Sequence, residues 1–356
     1  MNEFEERVYQ TIKENALIEN NDRIVAGVSG GPDSIAMLNV LYQIKKENLI
    51  NFEIYVAHVN HGIRENAIID EEFVREFCNE RQIYFFVLHS KVVELSKAEK
   101  KGLEEVGREV RYSFFDEILE KTNANKIAIA HNKKDNVETI LMNLLRGCGV
   151  SGLCGMDLIQ GKYIRPILKE NREDIENYLH ERGIVPRIDE SNFENEYTRN
   201  KIRNIVLPYI EKEFNPNIIE TVTRLSNIVK EENEYLDKET ESLYNSILVE
   251  EKNLGLKRTI LANQDNAILE KNEYNENFLP TIILDLKKFN SIDKTMEKRI
   301  ILYSIKKIFG STKGIEKIHI EDIIKLCNNN IGNKFLTPNK KTKIVIKNKK
   351  IYIFAI

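Results

Sequence analysis

Arg23-Ile24-Val25-Ala26-Gly27-Val28-Ser29-Gly30-Gly31-Pro32-Asp33-Ser34-Ile35-Ala36-Met37-Leu38 decides the fold. An apolar run of strand length passes through a glycine turn into a run with helical character. Two adjacent glycines let backbone N–H groups come close to a polyanion. The serines add hydroxyl donors, and the helix start adds positive potential. No Gly-Lys-Ser/Thr follows, so the turn is not a kinase-type P-loop.

Outward from this stretch, strand and helix patterns alternate. An amphipathic helix precedes it over about 3–15. After it come a strand at Phe52–Val59, a helix at about 67–81 and a strand at Tyr84–Leu88. A long helix at about 102–121, a short strand at Lys126–Ala130 and a helix at about 136–145 complete the series. Alternation at these lengths predicts an α/β fold, a parallel sheet with helices on both faces. Ligands of such sheets bind beyond the carboxyl ends of the strands. The loops after Val28, Val59 and Ala130 should therefore share one rim.

Near Phe214 the pattern changes. Pro208 and Pro216 punctuate it, and long charged helices are expected at about 216–248, 294–308 and 315–327. Residues 343–354 read as a small β-hairpin turning around Asn348. The expected division is a nucleotide-binding domain over 1–212, a mainly helical domain over 213–330 and a basic hairpin segment over 331–356.

The chain has 356 residues, 42% of them apolar, which excludes a disordered polypeptide. No apolar run reaches the ~18–20 residues that a spanning helix needs, and the acidic amphipathic start is no secretory signal. Four scattered cysteines suit a reducing, cytoplasmic setting rather than a disulfide framework. Net charge is −3, from 53 basic and 56 acidic residues, but it is unevenly spread. Residues 331–350 hold seven lysines, Lys340, Lys341 and Lys343 among them, and no acid. That patch suits phosphate contact as well as plain solvation.

Further polar clusters fall at or near the predicted rim. His58 and His61 lie in a His-Val-Asn-His-Gly loop that ends in Ile63-Arg64; without a third ligand they make a weak metal site. Arg108 and Arg111 stand about one helical turn apart and suit either phosphate or neighbouring glutamates. After His131, Asp135 and Glu138 project from one side of a first helical turn. Such a pair serves equally as a cap, with Asp135 as N-cap, or as a holder of Mg²⁺ or an ammonium. Beyond lie the glycine-dense Arg146–Met156, expected as a loop, then Pro166, Asp189-Glu190-Ser191-Asn192 and Thr198-Arg199-Asn200-Lys201-Ile202-Arg203.

The Ser-Gly-Gly-Pro-Asp-Ser loop resembles that of the PP-loop ATP pyrophosphatases. With the His-Val-Asn-His-Gly, Arg-Gly-x-Gly-x-x-Gly-Leu and Thr-Arg-Asn-x-Ile-Arg strings in order, residues of about 20–215 resemble the tRNA(Ile)-lysidine synthase family. The resemblance implies adenylation by ATP of the wobble cytidine in the CAU anticodon of tRNA(Ile), with release of pyrophosphate. Free L-lysine then displaces AMP to give lysidine. Codon reading shifts from AUG to AUA, and amino-acid identity from Met to Ile. It implies ATP at Ser29, Gly30, Gly31, Pro32, Asp33 and Ser34, with Mg²⁺ at Asp33. Asp135 and Glu138 would hold lysine, His131 would sit at the reacting groups, and Arg199 and Arg203 would contact AMP phosphate or tRNA. Arg108, Arg111, Lys340, Lys341 and Lys343 become tRNA contacts, and a homodimer is compatible.

Two departures stand out: Asn132 and Lys134 occupy positions where the family often has His and Asp, and Cys148 replaces a Ser or Thr. The chain also ends after the hairpin, where many relatives carry another tRNA-binding domain. A PP-loop thiolase is disfavoured because no Cys-x-x-Cys occurs.

Overall fold

Strand β1 (Arg23–Gly27) sits inside a six-stranded sheet of order β3-β2-β1-β4-β6-β5. The structure is a computed structural model and describes residues 1–62, 67–187, 198–252, 279–312, 314–329 and 334–356. The neighbours of β1 are β2 (Glu53–Asn60) and β4 (Lys126–Ile129), both parallel to it. Beyond β2 lies the parallel β3 (Tyr84–His89); beyond β4 lies the hairpin β5 (Ile159–Gln160) and β6 (Tyr163–Ile164).

Alternate residues of β1 feed two cores, as a doubly covered strand requires. Ile24 and Ala26 join a core built with α1 (Glu3–Glu14), α2 (Pro32–Lys46), α3 (Ala67–Glu80) and α8 (Arg172–Glu181). Val25 faces the other way, onto Phe114, Phe115 and Ile118 of α5 (Leu103–Lys121), which follows the short α4 (Val92–Glu99). Gly27 permits that packing: a Cβ there would lie 2.5 Å from the Phe115 ring.

The order also marks where a ligand can enter. The chain first builds outward from β1 through β2 to β3, then crosses back to place β4 on the other side of β1. The connections leaving the carboxyl ends of the neighbouring β1 and β4 therefore run in opposite directions, the switch point at which such sheets usually bind ligands. The loop Val28–Gly31 and the start of α6 (Lys133–Leu145) stand at this point.

The remaining elements of the first unit are α7 (Val150–Leu153), α9 (Thr198–Lys201), a π-helical turn at Ile202–Val206, α10 (Leu207–Glu213) and the start of α11 (Ile218–Ile247). Its core near α6 joins Val137 to Ile202 and Leu207.

Contacts divide the chain into Met1–Lys230 and Glu231–Ile356, a boundary inside α11 where composition suggested about 212. The second unit holds the rest of α11, β7 (Leu248–Lys252), β8 (Thr281–Asp285), α12 (Leu286–Phe289), α13 (Lys294–Phe309) and α14 (Lys317–Asn328). Strands β9 (Lys334–Asn339), β10 (Thr342–Lys347) and β11 (Lys350–Ala355) end it. The expected hairpin is β10–β11, turned by Asn348 and Lys349, both at positive φ, the signature of a tight two-residue turn. It is not a separate segment. It lies in an antiparallel sheet of order β7-β8-β11-β10-β9, whose buried face packs on α13 and α14 through Ile344, Ile346, Ile351 and Ile353. No described helix is long and apolar enough to cross a membrane.

Candidate active site

The glycine loop is held by its own hydroxyls and by three outside contacts. Ser34 Oγ donates to the Gly31 carbonyl (2.9 Å) and accepts from the Ser29 amide (3.2 Å). The Val28 amide donates to the Ala57 carbonyl (3.1 Å), and the Arg187 amide to that of Gly30 (3.1 Å). Buried His58 donates from Nδ1 to the Val28 carbonyl (2.8 Å), and burial holds its pKa down, so it does this as a neutral ring. Gly30 adopts φ +92°, a conformation that favours glycine. Gly31 caps α2 without a side chain, and Pro32 opens the helix. The first-turn amides, which have no partner inside a helix, are thus presented for an anion.

Asp33 stands in this first turn. Its Oδ2 accepts from Arg172 Nη1 (2.6 Å) and its Oδ1 from Asn132 Nδ2 (3.0 Å). Burial, with the Asp135 charge adding to it, raises the Asp33 pKa despite Arg172. Asn132 has a second task, as the N-cap of α6: its Oδ1 accepts from the Asp135 amide (3.0 Å), and Asp135 Oδ2 accepts from the Asn132 amide (3.1 Å). This is a reciprocal capping box. The sequence reading of Asp135 as N-cap is therefore corrected by three residues: Asn132 is the cap, Asp135 its partner, and Glu138 lies beyond the box.

Asp135 and Glu138 do share one side of α6, and two arginines meet them there. Arg203 Nη2 reaches Asp135 Oδ1 (2.6 Å), and its Nε reaches Glu138 Oε1 (2.6 Å). Arg199 Nη2 reaches Asp135 Oδ1 (3.0 Å), and its Nε reaches Glu138 Oε2 (3.0 Å). Glu138 has no solvent exposure. Burial alone would raise the Asp135 pKa, but the charges of Arg199 and Arg203 outweigh it and hold the carboxyl below its usual range. Sequence reasoning assigned the two arginines to phosphate or tRNA; here they neutralise the two acids.

Beside this cluster, Arg165 Nε donates to His131 Nδ1 (3.1 Å). Arg165 is 5% exposed, and its other nitrogens bind the Asp157 carbonyl (2.7 Å) and Gln160 Oε1 (3.0 Å). Guanidinium can only donate, so Nδ1 must accept and the ring proton lies on Nε2. Burial, with Arg165, Arg199 and Arg108 adding positive potential, lowers the His131 pKa to about 4. At neutral pH His131 is a neutral donor through Nε2–H. ¹⁵N NMR should find this single tautomer down to about pH 4. Arg165→Met should mix the tautomers, raise the pKa and slow turnover by about a hundred-fold, the lower end of what a positioned proton donor contributes. A wild-type ring protonated on Nδ1 would contradict the assignment.

The other sequence candidates divide. Arg108 lies over the Tyr112 ring (4.7 Å) and bonds its hydroxyl (2.9 Å), and Arg111 approaches His61 Nε2 (3.5 Å). Of the neighbouring glutamates, Glu109 pairs with Lys101 instead, and Glu104 acts on Arg111 through its charge. The two histidines separate: His58 braces the glycine loop, while His61 meets Arg111. Arg146–Met156, expected as a loop, contains α7, fixed by Asn143 Nδ2 to the Gly152 carbonyl (2.9 Å) and by the Met156 amide to Asn136 Oδ1 (2.6 Å). Cys148 is a free thiol packed on Gly152, where a Cβ would come within 2.4 Å of the Cys148 Cβ. Ile63, Arg64 and Asp189–Asn192 lie outside the described residues. Arg165, Arg172 and Arg187 were missed because their partners are distant in sequence; Asn132, three residues before an acid at a helix start, carried a legible capping signal.

The donor set suits Mg²⁺ in one specific way. No group of three or more His, Cys, Asp or Glu among the described residues could enclose a metal. A lone Asp33 beside an anion-binding loop fits an ion held mainly by substrate phosphates and water, as Mg²⁺ commonly is.

Fold and loop define a PP-loop protein. Residues 1–210 match the model of the PP-loop domain family. In fold the chain is similar to a U34-tRNA thiolase, NcsA from Methanococcus maripaludis, with TM-score 0.52 at 18% identity over 63% of this chain and 79% of that one. A tRNA(Ile)-lysidine synthase of Clostridioides difficile is 39% identical over 97% of this chain and 71% of its own length. Those of Clostridium acetobutylicum (39%; 93% and 66%) and Caldanaerobacter subterraneus (37%; 94% and 65%) are similar too. The chain belongs to the tRNA(Ile)-lysidine synthase family, and it spans 65–71% of the length of these relatives.

Proposed function

We propose that the chain carries out the lysidine-forming reaction of its family. ATP lies with its phosphates on Ser29–Ser34 and the first-turn amides of α2. The cytidine carbonyl oxygen attacks the α-phosphorus, pyrophosphate leaves, and the ring carbon becomes bonded to a good leaving group. A neutral amine of free lysine then attacks that carbon, and AMP departs. Asp33 is the residue that would hold Mg²⁺ with the phosphates, and the ion when bound would supply charge neutralisation to the leaving pyrophosphate.

What carries this reading is the meeting of Asp33, His131, Asp135 and Glu138 at the switch point between β1 and β4. His131, with its proton on Nε2, donates to the phosphate oxygens and cannot accept the amine proton. Asp135 and Glu138 remain as acceptors and as the site for lysine's cationic groups. Arg199 and Arg203 now occupy those carboxylates, so lysine enters by displacing or sharing them, and the released guanidiniums face phosphate. Arg108, Arg111, Lys340, Lys341 and Lys343 are assigned to tRNA. The test uses α-labelled ATP and a tRNA(Ile) transcript with a CAU anticodon, without lysine. Adenylated tRNA should accumulate, then release AMP when lysine is added. Label release as ADP, or none on the tRNA, would remove the proposal.

A further inference from the structure

The sheet of the second unit has one face against its helices and one face away from them, and that second face is not an ordinary solvated surface. Ile344, Ile346, Ile351 and Ile353 point into the core. By the two-residue period of strands, Phe335, Lys343, Val345, Lys347, Lys350, Tyr352 and Phe354 share the opposite face. The register sets them in rows: Phe335–Val345–Tyr352 across β9, β10 and β11, and Lys343 opposite Phe354. Lys343 Nζ sits between two rings, 5.1 Å from the centre of Phe335 and 5.6 Å from that of Phe354. Phe335 is 64% exposed. Lys340 and Lys341 cap the face at the β9–β10 turn, and Lys347 and Lys350 pair across the other end, with Asp285 next to Lys350.

We infer that this face binds unpaired nucleotides of the RNA substrate, the rings of Phe335, Tyr352 and Phe354 stacking on bases while the lysines hold the phosphates between them. Two features of its chemistry select that occupant. Lysines alone would serve any polyanion, duplex included. The aromatic rings of this face, Phe335 exposed and Tyr352 and Phe354 half-buried beside the buried Ile283 of β8, can stack on bases only where those bases are not already stacked in a helix. The charge is one-sided too: residues 331–350 carry seven lysines and no acid. A pre-set lysine over the Phe335 and Phe354 rings keeps the cation where a phosphate must pass, beside the exposed Phe335 and the half-buried Tyr352 and Phe354. The inference rests on the proposed function only in taking RNA as substrate.

The test is binding of the full chain to a fluorescein-labelled, unstructured RNA of roughly 12 nucleotides, against the same strand annealed into a duplex. Wild type should prefer the single strand. Phe335→Ala with Phe354→Ala should weaken single-strand binding by about tenfold or more and leave duplex binding unchanged. Lys343→Gln should weaken both and reduce the single-strand salt slope by about 0.7. Because Phe335 is mostly exposed, Phe335→Ala alone keeps the test available should the double variant misfold. Equal losses on both RNAs, or none, would overturn the inference. So would unchanged RNA binding with lost self-association in sedimentation, which makes the face a protein interface. In lysine incorporation Phe335→Ala should raise the KM for tRNA, whereas a wild-type chain that incorporates no lysine at any tRNA concentration would be a failure of the proposed chemistry and not of this face.

Discussion

Glu138→Ala is expected to destabilise the first unit by about 3–5 kcal/mol, the usual cost of removing one partner from a buried ion cluster. Glu138 is fully buried and accepts from both Arg199 and Arg203, which reach it from a different part of the chain. With its carboxylate gone, two guanidiniums face a single Asp135, whose other oxygen is already engaged by the Asn132 amide. The uncompensated charge sits among Val137, Ile202 and Leu207, so the π-helical turn and α10 should loosen with it. Urea denaturation measures this, and a change within 1 kcal/mol of zero would show that the arginines do not depend on Glu138. Glu138→Gln separates shape from charge. It keeps the packing and should still raise the lysine KM strongly, because the proposed lysine site would then offer the cation one carboxylate in place of two. An unchanged lysine KM would move the lysine site elsewhere.

Asp33→Ala should behave oppositely, with a large loss of turnover and little change in stability. Turnover should fall by at least about 10²–10³-fold, the range seen when one group stabilising transition-state charge is removed. Stability should change little for two reasons. Arg172 loses Asp33 but keeps Glu176, 2.6 Å from its Nε. Asp33 is also an acid whose folded pKa is raised, by burial first and by Asp135. Such a group binds its proton more tightly when folded, so its contribution to stability falls as pH rises through the interval between its unfolded and folded pKa values. At neutral pH it already costs stability, and its removal offsets the lost ion pair. Unfolding by heat or urea should therefore shift within about 1 kcal/mol. Retained turnover would show that ATP and metal are not held at Asp33.

Most of the first unit was legible because its signals are local. A strand buried on both sides reads as an unbroken apolar run, and Arg23–Gly27 is such a strand. The hairpin of the second unit was legible from Asn348 in a two-residue turn. Its partners were not: β8, which completes the sheet beside β11, is separated from it in sequence by α12, α13 and α14. The same divide runs through the site. The spacing of Asp135 and Glu138 announced two carboxylates on one side of a helix. Nothing in that spacing could reveal that Arg199 and Arg203, more than sixty residues on, already neutralise them. Arg172 lies 139 residues from Asp33, and Arg165 lies 34 from His131. Charges that meet through the fold leave no periodic trace in the chain.

The central claim is that one site uses ATP to join lysine to a tRNA. It is tested most directly by incubating the chain with ATP, Mg²⁺, labelled L-lysine and a full-length tRNA(Ile) transcript bearing CAU. The account expects ATP-dependent incorporation approaching one lysine per tRNA, with none when the wobble cytidine is replaced by uridine. A correctly folded transcript that takes up no lysine, while the chain still binds it and ATP, would contradict the account.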